Sequence, residues 1–477
     1  MVMGEYSQET ELLVIGGGPG GYAAAFRAAD LGMDVTLVEL SERPGGVCLF
    51  RGCIPSKTYL HLTELMHDAA QADSMGLKFG KPEIDLDAVR DFKKRVVDKL
   101  ADGLANLSKH RGVQLIRGRA EFTASDRVRL HEADINEIRF KHAILATGSR
   151  PIPFPETPFR KGGRVMSSTG ALEMPDIPES LLVIGAGYVG LELGSVYAAF
   201  GSRVTVVEMA DRILPGIDKD LVAPLRRRLE KRFESILLET RVQSMQEHDD
   251  RVEVVLEGEA VEEAEQRFDR ILVAIGRKPN SNGIGLDNTA VEIDEKEFVK
   301  VDEKQRTADD KILAIGDVVG GMMLAHKATY EGKIAAEVIA GKPAEYDARA
   351  VPAVVYTDPQ IAYCGLTEEE AERRGRSVDI EKFPWKASGR ATTMGVSEGL
   401  TKLIIDPETD RILGMGITGR DAESLISEGV LAVEMGALAE DLALSIHPHP
   451  TLSETEMEAA ELYSGSPTHI MGKSKKS

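Results

Sequence analysis

Two stretches of this chain repeat one design. The first is ELLVIGGGPGGYAAAFRAADLGMDVTLVE, residues 11 to 39, and the second is SLLVIGAGYVGLELGSVYAAFGSRVTVVE, residues 180 to 208. Each opens on an apolar run with strand character and passes into G-x-G-x-x-G, at Gly16, Gly18 and Gly21 and again at Gly185, Gly187 and Gly190. Each then runs through a helical stretch to a second strand that ends in an acid, Glu39 or Glu208, eighteen residues past the third glycine. The first glycine permits the tight turn, the second lets the backbone approach a pyrophosphate, and the third lets helix and strand pack closely. Phosphate charge is then met by the helix N-terminus. One such fingerprint is weak evidence, but two in the same strand–turn–helix–strand context imply two bound dinucleotides. A carboxylate at Glu208 suits a free 2′-hydroxyl and repels a 2′-phosphate, so NAD is expected over NADP in the second unit.

A chain of 477 residues exceeds one hydrophobic core, so several domains are expected. The net charge of −20 argues against nucleic acid and against an anionic membrane surface. No apolar run is long enough to span a bilayer. The acidic start MVMGEYSQETELLVIGG reads as neither a signal peptide nor a transit peptide, so a cytoplasmic place is expected. No lipoyl domain is expected ahead of residue 11. The segment 86–112 is amphipathic at helical spacing and reads as a surface helix, and GKSKKS at the end reads as a disordered basic tail.

Cys48 and Cys53 stand five positions apart in GGVCLFRGCIPSK. In a regular helix that spacing puts the Cα atoms roughly 8–9 Å apart, beyond the roughly 4.4–6.8 Å of a disulfide. Closure needs a distorted first turn, and Gly45, Gly46 and Gly52 supply the freedom for one. A helix N-terminus, Arg51 and Lys57 all favour thiolate. Zinc would need further Cys or His ligands at matching spacing, and none follows, so no metal is expected. Redox activity is the better reading of this pair, while Cys364 reads as an inert buried thiol. A dithiol substrate would need a base, most often His. SIHPHPTLSE places His449 five residues before Glu454, whose carboxylate orients an imidazole; His447 is the weaker candidate.

GGVCLFRGCIPSK, both fingerprints, ATGSRP, AIGRKPN, AIGD, LAHKATYEG, YTDPQIAYCGLTEEEA and HPHPTLSE together resemble the flavoprotein disulfide reductases over essentially the whole chain. Ile-Pro-Ser-Lys after the second cysteine is similar to the branch that oxidises dihydrolipoyl groups. The resemblance implies that Cys48 is the interchange thiol and Cys53 the thiol beside the flavin. Lys57 matches the lysine at the flavin, with Glu192 as its carboxylate partner, and His449 with Glu454 matches the base. The first unit adjoins the cysteines and is read as the FAD site. Gly148 and Gly276 mark the turns leading out of each unit. Asp317 stands to bind a sugar-alcohol hydroxyl, and a helix beginning at Leu324 and Ala325 stands to offset negative charge on a reduced flavin ring. Tyr188 is placed to cover the nicotinamide side. Phe50 departs from the family, which usually carries Asn there; Thr58 and Tyr59 replace small or aliphatic residues.

The expected fold class is α/β, with two Rossmann-like domains, for FAD and NAD, and a C-terminal α+β dimerisation domain. The expected division is 1–149 for FAD and the redox pair, 150–276 for NAD, 277–346 returning to the FAD domain, and 347–477 for dimerisation. The resemblance further implies a homodimer with a lipoylated carrier protein as partner, in a 2-oxo acid dehydrogenase or glycine-cleavage complex. The rivals are a relative acting on another disulfide and a subunit serving mainly assembly.

Overall fold

The computed structural model describes residues 7–471, so the basic tail lies outside the described residues. β1 (Ser7–Ile15), α1 (Pro19–Asp30) and β2 (Val35–Glu39) form the first repeat. Their strands pair in parallel, Leu12 opposite Val35, and Leu12, Leu13 and Val14 are wholly buried. Both faces of the sheet are covered, one by α1 and the helix Ala325–Ile339 and the other by the strands Arg119–Ala124 and Arg127–His131, so this run is apolar at every position rather than at alternate ones. β1 begins earlier than the apolar run indicates. Ser7 to Thr10 pair with Glu137 to Phe140 of a long neighbouring strand, and backbone pairing does not require apolar side chains.

Further along come α2 (Gly46–Arg51), α3 (Cys53–Gln71), α4 (Leu86–His110) and β3 (Gln114–Arg117). β3, β2 and β1 lie side by side, followed by the strand Glu137–Leu145, which also takes Ile312–Ala314 in parallel. A segment far down the chain thus returns to the first sheet. α4 is the amphipathic surface helix, and Asp85 caps it by accepting the Ala88 N–H at 3.0 Å.

The second repeat has the same plan. Ser235–Leu237, Arg203–Val207, Ser180–Ile184, Arg270–Val273 and Val165–Met166 form a parallel five-stranded sheet in that order. The C-terminal part is a five-stranded antiparallel sheet built on Gln360–Gly365, Ile412–Gly419 and Leu400–Ile405, packed against the helices Ala422–Met435 and Glu454–Ser464. Trp385 is wholly buried in its core, and Cys364 is buried there too, with its thiol pushed up to about 12 by burial.

The second repeat and the C-terminal sheet meet at a charged joint. Lys402 is completely enclosed, and its Nζ lies 2.8 Å from Asp218, 3.1 Å from Asp220 and 2.5 Å from Glu368. Burial alone would lower its pKa, but the hydrogen bonds to Asp218 and Glu368 raise it, so the ammonium persists. These three carboxylates cluster closely enough to suit a cation, and the lysine supplies one. Lys402→Met would leave buried Asp218 without its partner. It is expected to cost about 3–5 kcal/mol, read as a lower urea midpoint with FAD retained.

Candidate active site

A cavity of about 700 Å³ opens at the C-terminal end of β1. Gly16, Gly18, Glu39, Cys48, Cys53, Lys57, Gly148, Glu192, Asp317 and Ala325 all line it. Gly21 does not; it packs beneath the turn, where a Cβ would come within 1.8 Å of Gly16 O. Gly190 stands the same way against Gly185 O, at 2.2 Å, in the second repeat. Any side chain at either position would push the helix off its strand. The two acids are held alike. Glu39 accepts the Gly17 N–H at 2.6 Å and the Ser41 N–H at 3.1 Å; Glu208 accepts those of Ala186 at 2.7 Å and Ala210 at 2.9 Å. Two N–H donors orient each carboxylate and stabilise its charge, while lone pairs remain for further donors.

The cysteines sit across a helix break. α2 ends at Gly52, and Cys53 is the first residue of α3. A Cβ on Gly52 would stand 3.3 Å from Cys48 Cα, so glycine there lets the turn fold back on itself. Gly46, at φ +60°, packs against Gly18 so tightly that a Cβ would lie 2.5 Å from the Gly18 Cα. That contact docks the cysteine segment onto the dinucleotide turn. Both cysteines are free thiols here, and each shifts the titration of the other. The Cys48 thiol, acting as donor, and then the Lys57 charge outweigh burial and bring Cys53 down to about 7. Cys48 is driven the other way, by that same hydrogen bond and by burial. The Lys57 charge favours thiolate on Cys53, while burial disfavours it on Cys48.

Lys57 Nζ bonds Glu192 Oε2 at 2.8 Å and lies 4.3 Å from the centre of the Tyr356 ring. The other oxygen of Glu192 accepts the Tyr356 N–H at 2.9 Å. One lysine thus ties together α3, the helix Tyr188–Phe200 of the second repeat and a segment of the C-terminal part. Lys57→Met removes the cation that favours the Cys53 thiolate. Its titration in the dithiol form is expected to move to higher pH, followed by thiolate absorbance at 240 nm (roughly the usual thiolate band) or by iodoacetamide rate. The sign is that of a depressed acid: the thiolate contributes stability above the unfolded thiol pKa, and that contribution is lost as pH falls through about 7.

Asp317 lies in the turn Gly316–Val319, held by a hydrogen bond from the Ser149 hydroxyl, whose oxygen in turn accepts from Arg277 Nε at 2.8 Å. Gly316 N–H donates to buried Glu331 at 2.7 Å, which steadies that turn. The helix Ala325–Ile339 begins at the cavity with Leu324 as its N-cap. Gly276 adopts φ +122° and Gly148 φ +70°, conformations that favour glycine. Tyr188 lines the same cavity as Cys53. Gly185, Gly187, Gly190, Glu208 and Gly276 do not line it and form the second repeat's own turn.

His449 does not reach the cavity within its own chain. Nδ1 lies 2.7 Å from Glu454 Oε1, and Glu454 Oε2 accepts the Thr451 N–H at 2.7 Å. Burial raises the Glu454 pKa, but the Thr451 and His449 bonds outweigh it, and the carboxyl stays below its ordinary range. Nε2 of His449 has no partner among the described residues, and its side chain is 69% exposed. His447 is different: its side chain is 6% exposed and both ring nitrogens are engaged, by Ser445 O at 2.9 Å and Glu428 at 3.0 Å. Of these two, His449 is the one with a ring nitrogen unengaged among the described residues.

Sequence reasoning missed Tyr356, Ser149, Arg277 and Glu331. Each lies in a stretch that carries the resemblance, ATGSRP, AIGRKPN, LAHKATYEG or YTDPQIAYCGLTEEEA, but the contact it makes is with a residue outside that stretch, which the stretch does not reveal. The three departures near the cysteines are packing residues. Phe50 lies under the Arg43 guanidinium, 5.9 Å from the ring centre, and Arg43 pairs with Asp98 and Asp102 of α4. Tyr59 is wholly buried and donates to Leu172 O at 3.3 Å; Thr58 bonds the Ile54 carbonyl at 2.8 Å.

Residues 10–332 match the family model of the pyridine nucleotide-disulphide oxidoreductases, and residues 351–460 match that family's dimerisation domain. The chain belongs to this family. It is an oxidoreductase that uses FAD and NAD, and its dimerisation domain supports a homodimer. It is 45% identical to the dihydrolipoyl dehydrogenase of Haemophilus influenzae, over 97% of this chain and 96% of that one. It is 44% identical to the dihydrolipoyl dehydrogenase of Bacillus subtilis, over 99% of this chain and all of that one. The crystal structure of LpdA from Mycobacterium tuberculosis superposes with a TM-score of 0.87 at 26% identity, covering 95% of this chain and 99% of that one. Among the described residues no helix is long and apolar enough to cross a membrane.

Proposed function

We propose that this chain is an NAD-dependent dihydrolipoamide dehydrogenase acting as a homodimer. The observation that carries this reading is the cysteine pair at the mouth of the first dinucleotide turn, with Cys53 favoured as thiolate beside Lys57. The similarity to dihydrolipoyl dehydrogenases over nearly the full chain supports the same substrate. The substrate is the dithiol of a protein-bound dihydrolipoyl group, and the carrier belongs to a 2-oxo acid dehydrogenase or glycine-cleavage complex in the cytoplasm. The parts of the chain divide as 1–149, 150–276, 277–346 and 347–477.

His449, oriented by Glu454, takes a proton from one substrate thiol. The thiolate attacks Cys48 Sγ, the Cys48–Cys53 bond breaks, and Cys53 leaves as thiolate. The second substrate thiol, deprotonated in turn, displaces Cys48 and closes the lipoyl disulfide. FAD, when bound, accepts the electron pair from the dithiol and hands it to NAD⁺ as hydride. Gly16, Gly18 and Glu39 hold its phosphates and ribose, and Asp317 its sugar-alcohol chain. The helix N-terminus at Ala325 and the Lys57–Glu192 pair, which line the same cavity, would meet its ring. Gly185, Gly187, Gly190 and Glu208 hold NAD. Gly148 and Gly276 shape the turns between the sites, and Tyr188 covers the nicotinamide side. The net change is one dithiol and NAD⁺ to one disulfide, NADH and a proton.

His449 is offered to a second copy of the chain. Leu444 and Ile446 are 75% and 99% exposed beside it, an apolar surface that a symmetric partner would cover. An anaerobic titration of the FAD-loaded dimer with dihydrolipoamide, then NAD⁺, tests the reading. A long-wavelength thiolate–flavin band followed by NADH is expected. A band with NADH but no response to dihydrolipoamide would move the substrate to another disulfide.

A further inference from the structure

A second cavity, of about 420 Å³, lies in the C-terminal part, and it shares no lining residue with the first. Four arginines line it: Arg349, Arg374, Arg376 and Arg411. They come from three separate stretches. Arg349 precedes the antiparallel sheet, Arg374 and Arg376 follow the helix Glu368–Arg373, and Arg411 opens the strand pair at Ile412. Arg374 and Arg376 stand together in RRGR, and the fold brings Arg349 and Arg411 to them from distant positions.

Two of the four are neutralised locally. Arg374 pairs with Glu370, and Arg376 Nη2 lies 2.7 Å from Asp406. The side chains of Arg349 and Arg411 form no ion pair among the described residues, and Glu434 accepts the Arg349 backbone N–H at 2.8 Å, so the lining side chains alone carry two more positive than negative charges in a chain whose net charge is −20. The carbonyl end of the helix Ala422–Met435, capped at Gly436, offsets part of the charge on Arg349. Converging like charges repel unless an anion joins them, and guanidinium is the side chain that holds phosphate in a bidentate fork. The floor is apolar, with Leu366, Ile412 and Val433, which suits an organic body rather than a bare ion. The volume lies within the roughly 300–1,000 Å³ of small-molecule sites.

We infer that this cavity binds an organic polyphosphate of nucleotide size, its phosphates on Arg349 and Arg411 and its apolar body on Leu366 and Val433. The site is separate from the two dinucleotide turns and takes no part in the thiol chemistry. Calorimetric titration of the FAD-loaded dimer with ATP in EDTA tests it, with NAD⁺ saturating so that the second dinucleotide turn is filled. One ATP per chain is expected, weakened roughly tenfold or more by each of Arg349→Ala and Arg411→Ala, with FAD content and turnover unchanged. Both residues are exposed, so neither change removes core packing. Pyrophosphate binding more weakly than ATP, and losing affinity in the same variants, would place the phosphates on the arginines and the base on the apolar floor. Absence of ATP binding, or binding indifferent to both substitutions, would overturn the assignment. Pyrophosphate binding as tightly as ATP would overturn the role of the floor.

Discussion

Cys53→Ser is expected to keep FAD and lose the reaction. The substituted hydroxyl cannot leave as a thiolate or form the disulfide, so dihydrolipoamide oxidation falls on the order of 10³-fold or more. The long-wavelength band seen on partial reduction should vanish with it. Electron flow from NADH through the flavin to an artificial quinone acceptor should survive, because that path needs neither sulfur. The packing argument makes the variant informative. Gly52 and the Gly46–Gly18 contact shape this turn, and neither depends on the sulfur of Cys53. A mutant that keeps FAD and the band would remove Cys53 from its assigned place and leave the flavin facing another donor. Cys48→Ser separates the roles: it should lose the substrate reaction but retain a Cys53 thiolate, and hence a band. The thiol of Cys48 is the hydrogen-bond donor that lowers Cys53, and serine at 48 keeps a donor there.

His449→Gln is expected to slow dihydrolipoamide oxidation by roughly 10²–10⁴-fold. Reduction of the flavin by NADH should be unaffected, since no substrate thiol is deprotonated in that half-reaction. Glu454→Gln should act in the same direction and less strongly. It keeps the hydrogen-bonding shape at Nδ1 but removes the charge that stabilises the protonated ring. A subunit-mixing experiment asks where His449 acts. Dimers are formed from one Cys48→Ser chain and one His449→Gln chain. If the base crosses the interface, one site of each mixed dimer unites intact Cys48 with intact His449, and activity returns. If it acts within its own chain, every site carries one defect and no activity returns. The exposed Nε2 and the distance of His449 from the first cavity favour recovery.

The two nucleotide units were legible because each is a local motif. Turn, helix start and strand end follow one another within about thirty residues, and the steric demand on Gly21 or Gly190 comes from the neighbouring Gly16 or Gly185 carbonyl. The cysteine pair was legible for the same reason. Its glycines, its proline and its lysine lie within one helix entry, so the distortion that brings the sulfurs together is written beside them. His449 and Glu454 are five residues apart, and their spacing together with the family resemblance paired them; the structure bonds Nδ1 to Glu454. Phe50 was a different matter. As a sequence change it stood next to the chemistry, yet the structure places its ring under Arg43, which in turn pairs with Asp98 and Asp102 of α4.

The class of fold and the two dinucleotide turns were readable from the sequence by itself, because each rests on short-range backbone geometry, while the redox thiols and the base with its carboxylate were pointed to by the family resemblance. Only the tertiary structure decided that Tyr356 joins Glu192 beside Lys57, that Lys402 fills an acidic joint, and that four arginines from three stretches face one cavity. Charge interactions depend on distance through space and on the water removed between the partners, and residue spacing along the chain encodes neither.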